Sequence, residues 1–246
     1  MDRVIYIAMT GARETTRQLA ATTHNLANIS TNGFKQELSV MRALPVLGDG
    51  AKTRAFVLET TPGTDFTPGA IQHTGRSMDV AVKGQGWIAV QDAAGREAYT
   101  RMGSLEVSPN GIVQTTSGLN VLADGSPLAV PPDQTISIGA DGTVSAIPTG
   151  QGLNAVTIAG RIKLVNPEEK ALIRGEDGLF RLKGGADAPA DETVELASGA
   201  LESSNVNPAE AMVNMVTLSR QFEMNMRVIR AAEDNDSSSN KLLRMS

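Results

Sequence analysis

An apolar stripe at helical spacing near the C-terminus constrains the fold more than any other stretch. The sequence Asn207-Pro208-Ala209-Glu210 has the composition of a helix start. The Asn207 side-chain oxygen can accept a first-turn N–H, Pro208 suits the first helical position, and Glu210 can reach back to the cap. Apolar residues then recur at helical spacing: Ala211, Met212, Met215, Leu218, Phe222, Met226 and Ile229. This pattern predicts an amphipathic helix that buries one face.

The stripe is rich in methionine, which packs well against surfaces that vary. Two interpretations follow from the residues alone: an ordinary core helix, or a helix that packs on other chains.

A second helix is predicted from Asp2 to about Asn28. Its seam repeats at steps of three and four: Ile5, Met9, Ala12, Thr16, Leu19, Thr23 and Leu26. The threonines make it a poor core for a monomer, but such a seam is tolerable where several helices crowd together. Asn32-Gly33 ends the helix, because glycine adopts the left-handed conformation cheaply. Asn25 and Asn28 lie on one helix face, and we expect them to fix register and cap the helix end.

The segment 36–77 carries a weaker signal. The spacing of Leu38, Met41 and Leu44 predicts that a helix continues as far as Pro45. A strand is predicted at Arg54 to Leu58. Glycine and proline punctuate the rest, so the segment is interpreted as an extended linker.

Residues 78–201 consist of short strand patterns separated by turn signals. Ala94-Gly95, Asn110-Gly111, Asp124-Gly125 and Asp141-Gly142 each separate apolar, β-prone runs. Regular strand-turn spacing without helices favours a sandwich or partly closed barrel. The predicted fold class is therefore α+β, with a central all-β domain of short strands between two long helices.

Composition and motifs argue against several function classes. The net charge of -5 and the 3% aromatic content give no basic or stacking surface for nucleic acid. With no cysteine, thiol nucleophiles and thiolate metal sites are excluded. Gly84-Gln85-Gly86 resembles a dinucleotide fingerprint, but a strand pattern follows it where that motif needs a helix. His24 and His73 lack zinc-ligand spacing. We therefore predict no catalytic, cofactor or metal residues.

Neither a cleavable signal nor a membrane span is expected. The start Met1-Asp2-Arg3-Val4-Ile5 has no basic region before an apolar run, and no apolar stretch reaches the roughly 20 residues that span a bilayer.

Two stretches at opposite ends of the chain carry a family resemblance. The run Asn25-Leu26-Ala27-Asn28-Ile29-Ser30-Thr31-Asn32-Gly33-Phe34 is similar to the N-terminal signature of the rod and hook family of bacterial flagellar axial proteins. Leu201-Glu202-Ser203-Ser204-Asn205-Val206 resembles the C-terminal signature of that family. The opening residues and the short length look most like its proximal rod members, with the distal rod members as the nearest alternative and hook-type axial subunits as a further one.

The resemblance implies an architecture and a set of assembly residues. It implies a terminal helix with its signature turn (1–36), a linker (37–77), a β domain (78–201) and a C-terminal helix (202–246) that pairs with the first helix as in a coiled coil. It also implies that this last helix continues to Leu242-Leu243, although the run 234–240 is made of poor helix formers. The expected assembly interface comprises Ile5, Met9, Leu19, Asn25, Leu26, Asn28, Gly33, Phe34, Asn205, Met212, Met215, Leu218, Phe222, Met226, Ile229 and Leu243.

The implied function is a structural subunit of the periplasmic flagellar rod, which polymerises through its terminal helices into a torque-transmitting shaft. Its expected partners are copies of itself, other rod subunits and the flagellar export apparatus. Two alternatives of other classes stay open on composition alone: a periplasmic cell-wall enzyme, and a β-rich binding module with a helical dimerisation arm.

Overall fold

A computed structural model describes residues 2–45, 55–131, 134–148 and 157–244. The chain divides into two compact units. The helical unit comprises Met1–Ile29, Gln36–Asp65 and Val206–Ser246, and the β unit comprises Ser30–Lys35 and Phe66–Asn205.

Along the sequence, one long helix precedes and another follows a series of strands, as the predicted α+β class requires. The elements run in the order α1 (Asp2–Ala27), β1 (Glu37–Pro45), β2 (Ala55–Thr64), β3 (Ile71–His73), β4 (Val80–Lys83), β5 (Trp87–Gln91), β6 (Glu97–Thr100), β7 (Leu105–Val107), β8 (Val113–Thr115), β9 (Asn120–Val121), β10 (Gln134–Ile138), β11 (Thr143–Pro148), β12 (Thr157–Arg161), β13 (Leu164–Val165), β14 (Leu172–Arg174), β15 (Phe180–Leu182), β16 (Glu195–Ser198), β17 (Ala200–Glu202) and α2 (Pro208–Arg244). A short 3₁₀ turn at Glu169–Ala171 precedes β14.

The helix α2 begins and continues as predicted. The Asn207 Oδ1 accepts the backbone N–H groups of Ala209 at 3.1 Å and Glu210 at 3.4 Å, and Pro208 is the first helical residue. The helix runs through the poor helix formers to Arg244, which confirms the implied continuation. Propensity therefore does not decide the end of this helix.

In the helical unit, α1 lies against α2 and against the hairpin formed by β1 and β2. The residues of α1 that are most buried are Ala8, Ala12, Glu14, Thr15 and Asn25. Met9, which the seam pattern placed inside, is 53% exposed. The buried face is thus rotated away from the predicted seam, toward small and polar side chains. The sequence pattern misses this face because it ranks positions by apolarity alone.

The predicted helix continuation at Leu38–Pro45 is wrong. These residues form β1, which pairs antiparallel with β2 from Glu37 opposite Thr64 to Pro45 opposite Ala55. The strand expected at 54–58 falls within β2 for its described residues, while Arg54 lies outside them. The helical spacing of three apolar residues was overridden by pairing with a segment farther along the chain.

The β unit is built from antiparallel pairs. Within the described residues, one eight-stranded sheet has the order β14-β15-β6-β5-β9-β8-β7, with β13 also paired to β5. A three-stranded sheet, β10-β11-β12, and the pairs β16–β4 and β17–β3 complete the unit. The predicted turns at Gly95, Gly111 and Gly142 connect paired strands, each with a positive φ between +77° and +83°.

The core of the β unit consists of two apolar clusters. The larger includes Val80, Ile88, Leu105, Val113 and Leu196, all at most 1% exposed. The smaller surrounds Trp87, Tyr99 and Phe180. The second cluster lies beside the candidate site described next.

Candidate functional site: signature junction and exposed helix faces

The two signature segments meet inside the β unit at a place that we call the signature junction, formed by residues 30–35, 200–205 and Arg101. The Gly33 N–H donates to the Glu202 carbonyl oxygen at 2.7 Å, and the Asn205 N–H donates to the Phe34 carbonyl at 3.4 Å. Gly33 has a φ of +69°, and a Cβ there would lie 2.3 Å from the carbonyl carbon of Arg101. Glycine is required here both by the turn and by this close approach.

Glu202 is the centre of the junction and is 1% exposed. Its Oε1 accepts hydrogen bonds from Lys35 Nζ at 2.7 Å and from the Gly69 N–H at 2.9 Å. Its Oε2 accepts a bond from Arg101 Nη1 at 2.9 Å. One carboxylate therefore pairs with two buried cations, since Lys35 and Arg101 are only 1% and 4% exposed.

The two cations have further partners inside the β unit. Lys35 Nζ donates to the Thr67 carbonyl at 2.9 Å, and Arg101 Nη2 donates to the Gly84 carbonyl at 2.8 Å. Buried charges are tolerated when they are paired and hydrogen-bonded in this way. The junction ties both signatures to the central strands.

Aromatic rings close the junction on two sides. The Arg101 guanidinium lies 5.2 Å from the Trp87 ring centroid, and the Trp87 ring lies 4.6 Å from that of Phe180. On the other side, the Arg174 guanidinium lies 4.6 Å from the Phe34 ring. The aromatic faces attract the cations and exclude water from the network.

The two signature asparagines have separate roles. The Asn28 side-chain amide donates to the His24 carbonyl at 2.9 Å, which confirms the predicted capping of α1. The Asn25 amide instead donates to the Glu37 carbonyl and accepts its N–H, both at 2.8 Å. Asn25 thus fixes the start of β1 against α1, which corrects its predicted role in helix register.

A buried carboxylate at Asp92 is a second strong electrostatic centre of the β unit. Burial alone would raise the pKa of Asp92, but hydrogen bonds from the Arg96 backbone, the Arg181 and Arg96 side chains and the Ala94 backbone outweigh it and lower the pKa to about 2. The backbone bonds close the turn between β5 and β6, and the bond from Arg181 Nη2, at 2.8 Å, connects it to β15. The ionised Asp92 carboxylate therefore has a structural role: it connects the turn between β5 and β6 to β15.

The predicted assembly residues divide by exposure. Met9, Met212 and Phe222 are exposed, Asn25 and Phe34 are buried, and the half-buried ones are Ile5, Leu19, Leu26, Asn28, Gly33, Asn205, Met215, Leu218, Met226 and Ile229. The Leu243 side chain lies outside the described part of the structure.

A second apolar stripe on α2 was missed by the sequence interpretation. Val213, Val216, Met224 and Val228 are between 45% and 64% exposed. At 100° per residue they lie on the face opposite the predicted stripe, and we call them the outer stripe. The same periodicity test, applied to the other face of α2, would have found it. Tyr6 and Met9 of α1 are also more than half exposed. Several exposed apolar side chains on one helix face are typical of interaction surfaces.

The described residues offer little for catalysis or ligand binding. Gly84-Gln85-Gly86 leads directly into β5 rather than a helix, so the dinucleotide motif lacks its structural context. Within 2–45, 55–131, 134–148 and 157–244, no three His, Asp or Glu side chains are grouped to hold a metal ion. None of the helices described reaches the length and apolarity needed to cross a membrane.

Comparison with known proteins identifies relatives along the whole chain. Three family models match: "Flagella basal body rod protein" at residues 5–35, "Flagellar hook protein FlgE/F/G D1 domain" at 81–146, and "Flagellar basal body rod FlgEFG protein C-terminal" at 197–242. The flagellar basal-body rod proteins FlgF of Salmonella typhimurium and Escherichia coli are 45% and 46% identical, each over 100% of both chains. A FlgG rod protein of Buchnera aphidicola is 30% identical over 93% of this chain and 95% of its own.

Proposed function

We infer the function from one premise: the chain belongs to the flagellar basal-body rod protein family, and within it to the FlgF proteins. It is a structural subunit of the rod and not an enzyme. The higher identity to FlgF than to FlgG relatives agrees with the resemblance to proximal rod members.

We propose that α1 and α2 pair as in a coiled coil and that the pair carries polymerisation. The observation that supports this most is the outer stripe, because its four apolar side chains on α2 are each between 45% and 64% exposed in the described part of the chain. Burying such side chains against a neighbour contributes roughly 25 cal/mol per Å² of apolar surface. Repeated non-symmetric contacts of this kind between copies generate an open helical assembly.

The proposed partners are copies of this chain and other rod subunits, reached after passage through the flagellar export apparatus into the periplasmic rod. We also propose that export requires no cleavage of the N-terminal region. This proposal is supported by the burial of Ala8, Ala12 and Thr15 where α1 packs in the helical unit. Cleavage after these residues would remove packing contacts of α1.

The residues predicted for the interface divide into two proposed roles. Those at the signature junction, such as Gly33 and Phe34, act by shaping the β unit, whereas those exposed on the helices contact neighbours. The division of the chain into four segments, with boundaries at 36, 77 and 201, stays a prediction. In the structure, residues 30–35 and 202–205 group with the β unit.

The test is assembly of helix variants in a bacterium lacking its own copy of this protein. Val216→Asp places a charge in the outer stripe, and Phe222→Asp places one in the predicted stripe. Both should abolish swimming and rod incorporation, while Gln221→Asp, at an exposed polar position of the same helix, should retain both.

Folding of the β unit in each variant is checked by the fluorescence of Trp87, the single tryptophan of the chain, which is 3% exposed, and folding of the helices by far-ultraviolet circular dichroism. If folded Val216→Asp supported normal swimming, the outer stripe would not be needed for assembly. A stable closed dimer of the purified wild-type chain would instead favour the alternative of a binding module.

A further inference from the structure

We propose that Asn225 of α2, seated between Gly11 and Thr15 of α1, sets the register of the helix pair. These three residues act as positioning residues: they select one axial alignment of α1 on α2 among several that would bury similar apolar surface.

Gly11 provides the space for the Asn225 amide. A Cβ at Gly11 would lie 3.3 Å from Asn225 Nδ2 and 3.4 Å from Oδ1, so the amide rests on the bare backbone. Glycine in a helix interior is less favourable than alanine. The close approach of Asn225 is the structural gain that offsets this cost.

Thr15 provides the polar partner. It is 2% exposed, and its hydroxyl donates to the Gly11 carbonyl at 2.8 Å, which leaves the oxygen free to accept. Asn225 Nδ2 donates to this oxygen over 3.5 Å. The amide nitrogen therefore makes a long contact with a hydroxyl whose own position is fixed by the Gly11 carbonyl oxygen.

The buried apolar side chains of the α1 face have little power to select a register. Its most buried apolar side chains are Ala8 and Ala12, each 7% exposed. Shifting one helix along the other would exchange one small aliphatic contact for another of similar energy. A single asparagine in such a seam discriminates registers, because a slip of one turn either removes the Thr15 partner of its amide or fills the space at Gly11.

A slip of one helical turn shows the discrimination. It would place Asn225 between Ile7 and Gly11 or between Thr15 and Leu19, by the four-residue spacing of neighbours on a helix face. In the first alignment the amide loses the Thr15 hydroxyl. In the second, the Thr15 side chain fills the place that Gly11 leaves open.

The register decides which outward surface the subunit presents. An unslipped pair gives every copy the same placement of the outer stripe relative to Tyr6 and Met9 of α1. This consequence rests on the proposed function, whereas the register itself is a property of the isolated chain.

The experiment measures the distance between α1 and α2 by pulsed electron spin resonance in the full-length chain. The chain has no cysteine, so Ala20→Cys and Gln221→Cys introduce the only two label sites, both at exposed positions. With Asn225 present we expect one narrow distance distribution. In Asn225→Leu, which removes the polar selection but keeps an apolar contact, we expect further populations that correspond to axial slips of about 5 Å per turn.

Two variants complete the design. Gly11→Ala should produce the same heterogeneity, because its methyl group displaces the amide. Asn214→Leu makes the same chemical change at an exposed position of α2 and should leave one narrow distribution.

The proposal is overturned if Asn225→Leu keeps the single wild-type distribution, or if Asn214→Leu broadens it equally. A broad distance distribution without separate peaks for Asn225→Leu would also overturn the proposal. That result would mean that Asn225 holds the two helices together and does not select their register. Loss of rod assembly plays no part in these outcomes, so failure of the proposed function is distinguished from failure of the register.

Discussion

Glu202→Gln is the substitution that tests the signature junction most directly. The glutamine keeps the shape of the side chain and removes its charge. Its single carbonyl oxygen can still accept from Lys35 and from the Gly69 N–H, which now both bond to Oε1. Its amide nitrogen then replaces Oε2 and faces Arg101 Nη1, so that a donor opposes a donor across the present 2.9 Å contact.

The expected loss follows from burial. Lys35 and Arg101 are 1% and 4% exposed, so both cations would stay in the interior without a counter-charge. Removing one partner of a buried ion pair lowers the free energy of unfolding by about 3–5 kcal/mol. With a urea dependence of about 2 kcal/mol per molar for a unit of this size, the unfolding midpoint should fall by roughly 2 M.

The assay is urea unfolding followed by the fluorescence of Trp87, whose ring lies 5.2 Å from the Arg101 guanidinium. The matched control is Glu195→Gln, because Glu195 pairs with Lys83 at 3.4 Å while both side chains are more than half exposed. This exposed pair should contribute at most about 1 kcal/mol. Equal midpoint shifts for the two variants would refute the assignment of Glu202 as the centre of a buried network.

Two further predictions concern the β unit. Gly33→Ala should lower the free energy of unfolding by more than about 2 kcal/mol in urea titrations, because its φ is +69° and its new Cβ would contact the Arg101 backbone. Gly118→Ala, with a φ of +83° but open space around it, should lose only about 1 kcal/mol, and equal losses would contradict the close approach. The pKa of Asp92 is lowered from 3.8 to about 2. The contribution of its carboxylate to the free energy of unfolding is therefore present above about pH 4 and is lost as the pH falls toward 2. Asp92→Asn should therefore destabilise the chain by about 1–2 kcal/mol at pH 6 and make its stability less dependent on pH between 4 and 2. If the thermal unfolding temperature of the variant still fell with pH as steeply as that of the wild type, this role would be excluded.

Local signals in the sequence predicted the helices well. The cap, the first-turn proline and the apolar periodicity of α2 all lie within a few residues of one another, so they report on structure that forms locally. The hairpin turns of the β unit were predicted for the same reason, since glycine at positive φ is a property of two or three adjacent residues.

Segments whose structure depends on distant partners were not predictable in this way. The residues of β1 have a spacing compatible with a helix, and only their pairing with β2 makes them a strand. The outer stripe was overlooked because one apolar face already explained α2. Its residues are readable from the sequence, but only the packing of α1 on α2 decides that they stay exposed.

The sequence by itself determined the two helices, the turn-rich β region and the family, because periodicity, caps and signature residues are each encoded in a short stretch. The tertiary structure alone decided that Lys35 and Glu202, separated by 167 positions, meet in one buried network with Arg101. It also decided that the Asn25 amide bonds to β1, while Asn225 of α2 lies on α1. The physical reason is that a buried charge or amide is defined by its partners, and those partners are brought together only when the whole chain folds.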